Sequence, residues 1–251
     1  MAYVDLHCHW LVAHDDDGRV RGLDDGPRSL EDSRAMLDGL GALGFELVHA
    51  TPHMRPGMFD LDKPQLERAY RETLQALGPT PVQTALACEH FFDDVVFLRI
   101  QAGECLPFPK TPGTRLAALL VEFPRERFPL HVAAHFQRVM VRGYLPVLAH
   151  PERYRPVWED DRCLDPLLDD GVPLLLDACS VIGKYGRAAE RAALHLLEGG
   201  AYQAACSDAH RPGDLDELDR ALRRLDELVG RAERDRLFDA GARAILAGRP
   251  D

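Results

Sequence analysis

This sequence predicts an α/β fold in which parallel strands are wrapped by helices, and three observations predict it. Seven short runs rich in Val, Leu and Ala alternate with longer amphipathic segments. The residues at the ends of those runs are nearly all histidine or carboxylate. No Ser/Gly-rich linker, internal repeat or low-complexity stretch divides the 251 residues, so a single domain spanning 1–251 is expected.

The strand candidates cover 3–9, 46–51, 82–88, 118–123, 145–149, 172–177 and 202–206. Helices are expected near 29–43, 64–77, 92–102, 128–142, 162–170, 187–199, 214–228 and 231–247. The first opens with Ser29-Leu30-Glu31-Asp32, an S-x-x-D start, and carries Leu30, Met36, Leu37, Leu40 and Leu43 on one side. Leu215, Leu218, Leu222 and Leu225 form a similar stripe near the end, best read as core packing.

Composition narrows the function. No apolar run approaches a membrane span, and no basic-then-apolar signal pattern opens the chain, so a cytoplasmic protein without membrane insertion is expected. Six scattered cysteines with no C-x-x-C pair argue against disulfides and against a cysteine-rich zinc module. A formal charge of −11 would repel a nucleic-acid backbone, so no nucleic-acid partner is expected.

The strand ends carry the chemistry. In order they offer His7 and His9, His53 after Thr51-Pro52, Glu89 beside His90, Glu122, His150, Asp177, then Asp208 and His210. His7 and His9 alone are weak evidence, although a two-residue spacing turns both to one side of a strand. In a closed parallel barrel, however, the C-terminal strand ends converge on one face. Imidazole and carboxylate together suit Mn, Fe or Zn. Five histidines (7, 9, 53, 150, 210) and three carboxylates (Glu89, Glu122, Asp208) exceed what one ion needs, so two or three divalent ions are implied. Such a cluster suits metal-assisted hydrolysis.

The segments DLHCHW, GLDDGPRSLEDS, ATPHMRPGMF, ACEHFF, LLVEFP, GYLPVLAHPERY and CSDAHRP together resemble the PHP (polymerase and histidinol phosphatase) superfamily. More narrowly, they resemble the manganese-dependent protein-tyrosine phosphatases of bacterial capsule and exopolysaccharide systems. The likeness runs from Asp5 to about Pro212. It implies a distorted TIM-like (β/α)7 barrel with a trinuclear metal site, Mn first among candidates and Fe or Zn open. The implied metal ligands are His7, His9, Asp25, His53, Glu89, Glu122, His150, Asp208 and His210, with Glu89 at the position that bridges two ions. Arg153 matches the phosphate-contacting arginine, a role its planar fork suits. With four carboxylates against three divalent ions, the centre would attract a phosphate dianion.

The implied reaction is hydrolysis of phosphotyrosine by a metal-activated hydroxide, without a covalent enzyme intermediate. Arg153, Asp208 and His210 are the catalytic candidates, and phenolate leaves with help from a metal or a protonated His or Asp. The implied substrate is a tyrosine autokinase that regulates polysaccharide export. Alternatives are a histidinol-phosphatase-like or phosphodiesterase member of the superfamily, an amidohydrolase, and a metal-binding module without catalysis.

The sequence departs from the family between His9 and Asp25, where WLVAHDDDGRVRGLD is longer than usual and contains a second D-D-G at Asp16-Asp17-Gly18. Asp25 is preferred because Gly26-Pro27 and the Ser29 helix start follow it; Asp17 and Asp24 stay open. His49, within a strand, is expected to be packed rather than ligating, and His131 and His135 lack the glutamate of H-E-x-x-H. His90 could line the pocket. Cys8, Cys88 and Cys206 are expected to be packed residues, and Asp177 a polar partner of the ligands. Arg55, Arg155 and Arg211 lie beside the motifs, with the pocket mouth and ordinary solvated surface equally open to them.

Overall fold

The computed structural model describes residues 2–15 and 17–248; Asp16 of the second D-D-G lies outside them. Strand β1 (Tyr3–Cys8) pairs in parallel with β4 (Phe45–Ala50), and β4 with β6 (Gln83–Leu86). Two of these staves break and resume, β4 as β5 (His53–Met54) and β6 as β7 (Glu89–Phe91). From β7 the parallel ladder continues through β8 (Ala117–Glu122), β9 (Tyr144–Ala149), β10 (Leu174–Asp177) and β11 (Tyr202–Cys206). The ring closes just beyond β11, where Cys8 and Ala209 form a parallel bridge and the amide of His9 donates to the carbonyl of Ala209 at 2.9 Å. The result is a distorted (β/α)7 barrel.

Both faces of the staves are apolar, as parallel strands buried on two sides require. Along β8, Leu119 and Val121 join the larger cluster with helix residues such as Met36, Leu40 and Leu218. The alternate residues Ala118 and Leu120 meet Val4, Leu6, Val147, Leu175 and Ala204 inside the ring. Ala242 and Ile245 of a short helix (Ala240–Leu246) complete that inner cluster.

The helices are α1 (Leu30–Ala42), α2 (Lys63–Leu77), α3 (Asp94–Ala102), α4 (Val132–Val141), α5 (Arg155–Glu159), α6 (Asp165–Asp169), α7 (Arg187–Glu198), α8 (Asp214–Phe238) and α9 (Ala240–Leu246), of which the short α5 lies outside the expected set. Ser29 caps α1 by accepting from the Asp32 amide at 3.1 Å, the role its position suggests. Differences from expectation have local causes. Helix α4 starts four residues later than expected, after Pro129 and a left-handed His131 with φ of 55°. Helix α8 runs through the expected break as a kink at Gly230, whose φ of 78° and ψ of 159° are not helical.

The long segment between His9 and Asp25 forms an antiparallel hairpin of β2 (Val12–His14) and β3 (Val20–Gly22), with Asp17 and Gly18 of the second D-D-G at its tip. Asp15 closes its tip by accepting from the amides of Asp17 and Arg19 at 3.0 and 2.8 Å. Among the described residues, no helix is long and apolar enough to cross a membrane.

Candidate metal centre

Ladder register brings the strand-end residues together. His53 pairs with Glu89 across β5 and β7, and Phe91 with Glu122 across β7 and β8. At two other ends the backbone turns sharply: His150 and Asp208 hold φ of 34° and 44°, a left-handed conformation costly for non-glycine residues. His150, Arg153 and Tyr154 are linked by a short 3-10 turn, Pro151–Arg153.

Within this ring, His7 Nε2 lies 3.1 Å from His9 Nε2 and 3.2 Å from both Glu89 Oε2 and Asp208 Oδ1. The carboxylate of Glu89 reaches two ways. Its Oε2 is 2.9 Å from His53 Nδ1 and its Oε1 is 3.0 Å from His150 Nε2. Asp25 Oδ1 faces His53 Nε2 at 3.3 Å and His210 Nε2 at 3.4 Å. Four overlapping groups have ligand atoms mutually within 4.8 Å: His9, Asp25, His53 and His210; His7, His9 and Glu89; His7, His150 and Asp208; His53, Glu89 and Glu122. All nine residues implied by the resemblance occur in these groups. His7, His9, Glu89, His150 and Asp208 are buried, whereas Asp25 is exposed and His210 half-buried, so the cluster opens on their side.

The three aspartates of the long segment take different places. Asp17 sits at the hairpin tip, and Asp25 joins the cluster. Asp24 turns away from the centre and fixes its surroundings: Oδ2 lies 2.9 Å from His9 Nδ1 and accepts from the His53 amide at 3.1 Å, and Oδ1 accepts from the Gly26 amide at 2.9 Å. A carboxylate on the far nitrogen of a histidine sets the tautomer and aims the other nitrogen.

Arg153 enters from the 3-10 turn. Its guanidinium bonds Asp208, lies 3.5 Å from Asp177 and sits 4.3 Å from the centre of the Tyr185 ring. Asp177 Oδ1 also accepts from the Cys179 amide at 2.9 Å, which makes it a supporting group. Behind Arg153, Glu152 is fully buried. It accepts from the Asp177 amide at 3.1 Å, the Ser180 hydroxyl at 2.8 Å and the Tyr202 hydroxyl at 2.9 Å, tying the turn to β10 and β11. His210 is anchored through Asp214, which accepts from the amides of His210 and Arg211 at 2.8 and 3.0 Å and from Lys184 at 2.9 Å.

The charges of the cluster favour cations. Burial disfavours a protonated His7, yet Asp208 and Glu89 raise it to about 9, and burial is likewise outweighed at His210 by Asp208 and Asp25, to about 9. Glu122 is pushed up by burial and then by the charge of Glu89. Glu89, Asp208 and Asp25 therefore favour positive charge among the imidazoles, which divalent ions would supply more compactly than protons. The Nδ1 of His7 and of His150 and the Oε2 of Glu122 are buried without hydrogen-bond partners. A donor set of imidazole nitrogen and carboxylate oxygen, with no thiolate, fits Mn, Fe or Zn in an open site.

Other candidates fall elsewhere. His49 Nδ1 donates to the Asp5 carbonyl at 2.9 Å, and its ring meets Phe108 edge-on. His90 is structural, bonding the Leu120 carbonyl at 2.9 Å and accepting from the Leu106 amide at 3.2 Å. His135 packs against Phe97, and Cys8, Cys88 and Cys206 are buried with thiols raised by burial. Arg155 pairs with Glu126 and Glu159 on the surface, while Arg55 lies over Phe91. Asp24, Glu152, Tyr185, Lys184 and Asp214 carry no strand-end signal; an Asp-Asp pair and the HPER run are the cues that point to the first two.

A family model described as capsular polysaccharide synthesis, CpsB/CapC, matches residues 3–247. The chain belongs to the CpsB/CapC family. Similar proteins include tyrosine-protein phosphatase YwqE of Bacillus subtilis, 27% identical over 209 residues that span 82% of this chain and 77% of that protein. Tyrosine-protein phosphatase CpsB of Streptococcus pneumoniae is 23% identical over 215 residues, covering 82% of each chain. A solved structure from work on B. subtilis YwqE and S. pneumoniae CpsB, described as unique metal-dependent tyrosine phosphatases, superimposes with a TM-score of 0.81 at 24% identity. It covers 98% of this chain and 95% of that one. The CpsB/CapC barrel is also similar to a phosphotriesterase homology protein of Escherichia coli, with a TM-score of 0.53 at 10% identity, covering 98% of each. The family that the motifs resemble and the family that the whole chain matches are the same.

Proposed function

We propose that this CpsB/CapC protein is a metal-dependent protein-tyrosine phosphatase that hydrolyses phosphotyrosine on a partner protein. The observation that carries the reading is the convergence of nine imidazole and carboxylate residues on one barrel mouth with Arg153 beside them. The names of the similar phosphatases from Bacillus and Streptococcus support it. We assign His7, His9, Asp25, His53, Glu89, Glu122, His150, Asp208 and His210 to two or three divalent ions, Mn first. When bound, the ions neutralise the phosphoryl oxygens and acidify water.

The chain's own residues supply position and charge. Arg153 binds the phosphoryl group through its fork, and Asp177, Asp208 and Tyr185 keep that fork in place. Asp24 orients His9. His210 bonds the Asp208 carbonyl through Nδ1 at 2.9 Å, which leaves Nε2 facing the opening near Asp25. Asp208, bonded to Arg153, and His210, whose Nε2 is left free to hold an ion, are accordingly assigned to binding and charge rather than to giving up a proton. By analogy with its family we place the protein in the cytoplasm, as one domain, acting on a tyrosine autokinase of capsule or exopolysaccharide synthesis.

The test is phosphate release from a phosphotyrosine peptide by metal-stripped protein with Mn2+ restored, beside histidinol phosphate and a phosphodiester. Metal-dependent release from the peptide is expected. Turnover of either other substrate in its place would keep the hydrolytic centre and overturn the substrate.

A further inference from the structure

One turn at the open side of the cluster is used by none of the chemistry above. Arg55-Pro56-Gly57-Met58-Phe59 leaves β5 and doubles back, the Phe59 amide donating to the Arg55 carbonyl at 2.8 Å and the Arg55 amide to the Phe59 carbonyl at 3.3 Å. Gly57 makes the bend with φ of 82° and donates its amide to Asp60 Oδ1 at 2.7 Å. The guanidinium of Arg55 lies 4.1 Å from the centre of the Phe91 ring, pinning the turn to the strand that carries Glu89.

This scaffold places one aromatic side chain at the mouth and an exposed apolar one next to it in the turn. The Phe59 ring lies flat against the His53 imidazole, with centroids 5.3 Å apart and planes 5° from parallel. His53 is the imidazole that faces exposed Asp25, so Phe59 borders the opening. At the tip, Met58 is 60% exposed, a large apolar side chain held in water. Asp25 and His210 at the opening are charged or polar, and the aromatic ring beside Arg153, that of Tyr185, is already engaged by its guanidinium.

We propose that Phe59 and Met58 form the seat for the aromatic ring of the substrate and are specificity-determining residues that favour aryl over alkyl phosphate monoesters. The proposal rests on the phosphatase reading. In an aryl monoester a single oxygen separates phosphorus from the ring, so a phosphoryl group drawn into the cluster leaves the ring at its rim. There a flat phenyl face and a polarisable thioether offer stacking and sulfur–aromatic contact. A serine or threonine phosphate would place one aliphatic carbon there and bring peptide backbone against charged groups.

Calorimetry on the Mn2+-loaded protein with phenylphosphonate and methylphosphonate tests the seat without turnover. Wild type is expected to prefer the phenyl compound. Phe59→Ala should weaken phenylphosphonate roughly tenfold and methylphosphonate less than twofold, with Phe59→Tyr close to wild type. Met58→Ser, at a solvent-facing tip, should weaken phenylphosphonate about threefold. Equal weakening of both compounds in Phe59→Ala would show that the ring acts through His53 and the ions, and would overturn the proposal. So would a wild type that binds both alike or neither. Selective phenylphosphonate binding with no phosphate release from the phosphotyrosine peptide would keep the seat and remove the phosphatase reading.

Discussion

His9 and Asp24 are joined at 2.9 Å through Nδ1 and Oδ2, while the next residue along the chain, Asp25, faces His53 and His210. Two adjacent carboxylates thus serve different purposes. Asp24→Asn should keep every ligand and still weaken metal binding about 10- to 100-fold, because the His9 ring loses its orienting charge. Competition titration against a chelating dye reads this directly, and an unchanged affinity would remove Asp24 from the design.

The aromatic support of Arg153 predicts a graded pair of variants. Arg153→Ala should lower kcat/KM on a phosphotyrosine peptide by about 100-fold, the scale of losing one donor to the transition-state charge. Tyr185→Ala leaves the guanidinium unstacked and should cost roughly three- to tenfold. Arg153→Lys should not restore activity, since a point charge lacks the fork. Full activity in Arg153→Ala would mean that the phosphoryl group is held elsewhere.

Chelation should destabilise the fold as well as the activity. Ions that bind the native cluster add about 2.7 kcal/mol at one hundred times their dissociation constant, so Tm should fall on metal removal and recover with added Mn2+. A Tm indifferent to metal would contradict the assignment of the cluster.

His49 gives a pH dependence away from the centre. Burial holds its imidazole down to about 4, whereas the unfolded residue titrates near 6.5. Its contribution is therefore complete above about pH 6.5 and is lost as pH falls toward 4, on the order of 3 kcal/mol in all. Denaturant melts of wild type and His49→Gln across this range should converge at low pH. Parallel curves would show that His49 is not neutral and buried in solution.

Helix α9 is held by a close backbone approach. A Cβ on Gly241 would lie 2.0 Å from the Gln203 carbonyl oxygen of β11, so Gly241→Ala must push the helix off the inner cluster. A loss of about 1–3 kcal/mol is expected in a urea melt, with metal affinity little changed.

Much of this was legible because a parallel barrel concentrates its chemistry at strand ends, where a period of two and a following turn mark the residues. His7, His9, His53, Glu89, Glu122, His150, Asp208 and His210 stand out in that way. The division of labour between Asp24 and Asp25 does not, because neighbouring aspartates in an irregular segment have no periodicity to separate them. Nor does Tyr185 over Arg153: the two lie on different turns, far apart in the chain, and only the folded barrel brings them together. The β2–β3 hairpin was masked by its charged tip, which reads as solvated loop although Val12 and Ala13 are buried.

The Cys8–Ala209 bridge joins positions 201 residues apart in the chain. Beside that seam, the group of His7, His150 and Asp208 draws ligand atoms from both sides of it. An ion gripped there would work as a clasp on the folded barrel, holding residues from opposite ends of the chain together for as long as the native site exists. The seam between β1 and β11 is then the place where the barrel should first open to hydrogen exchange when its cations are withdrawn.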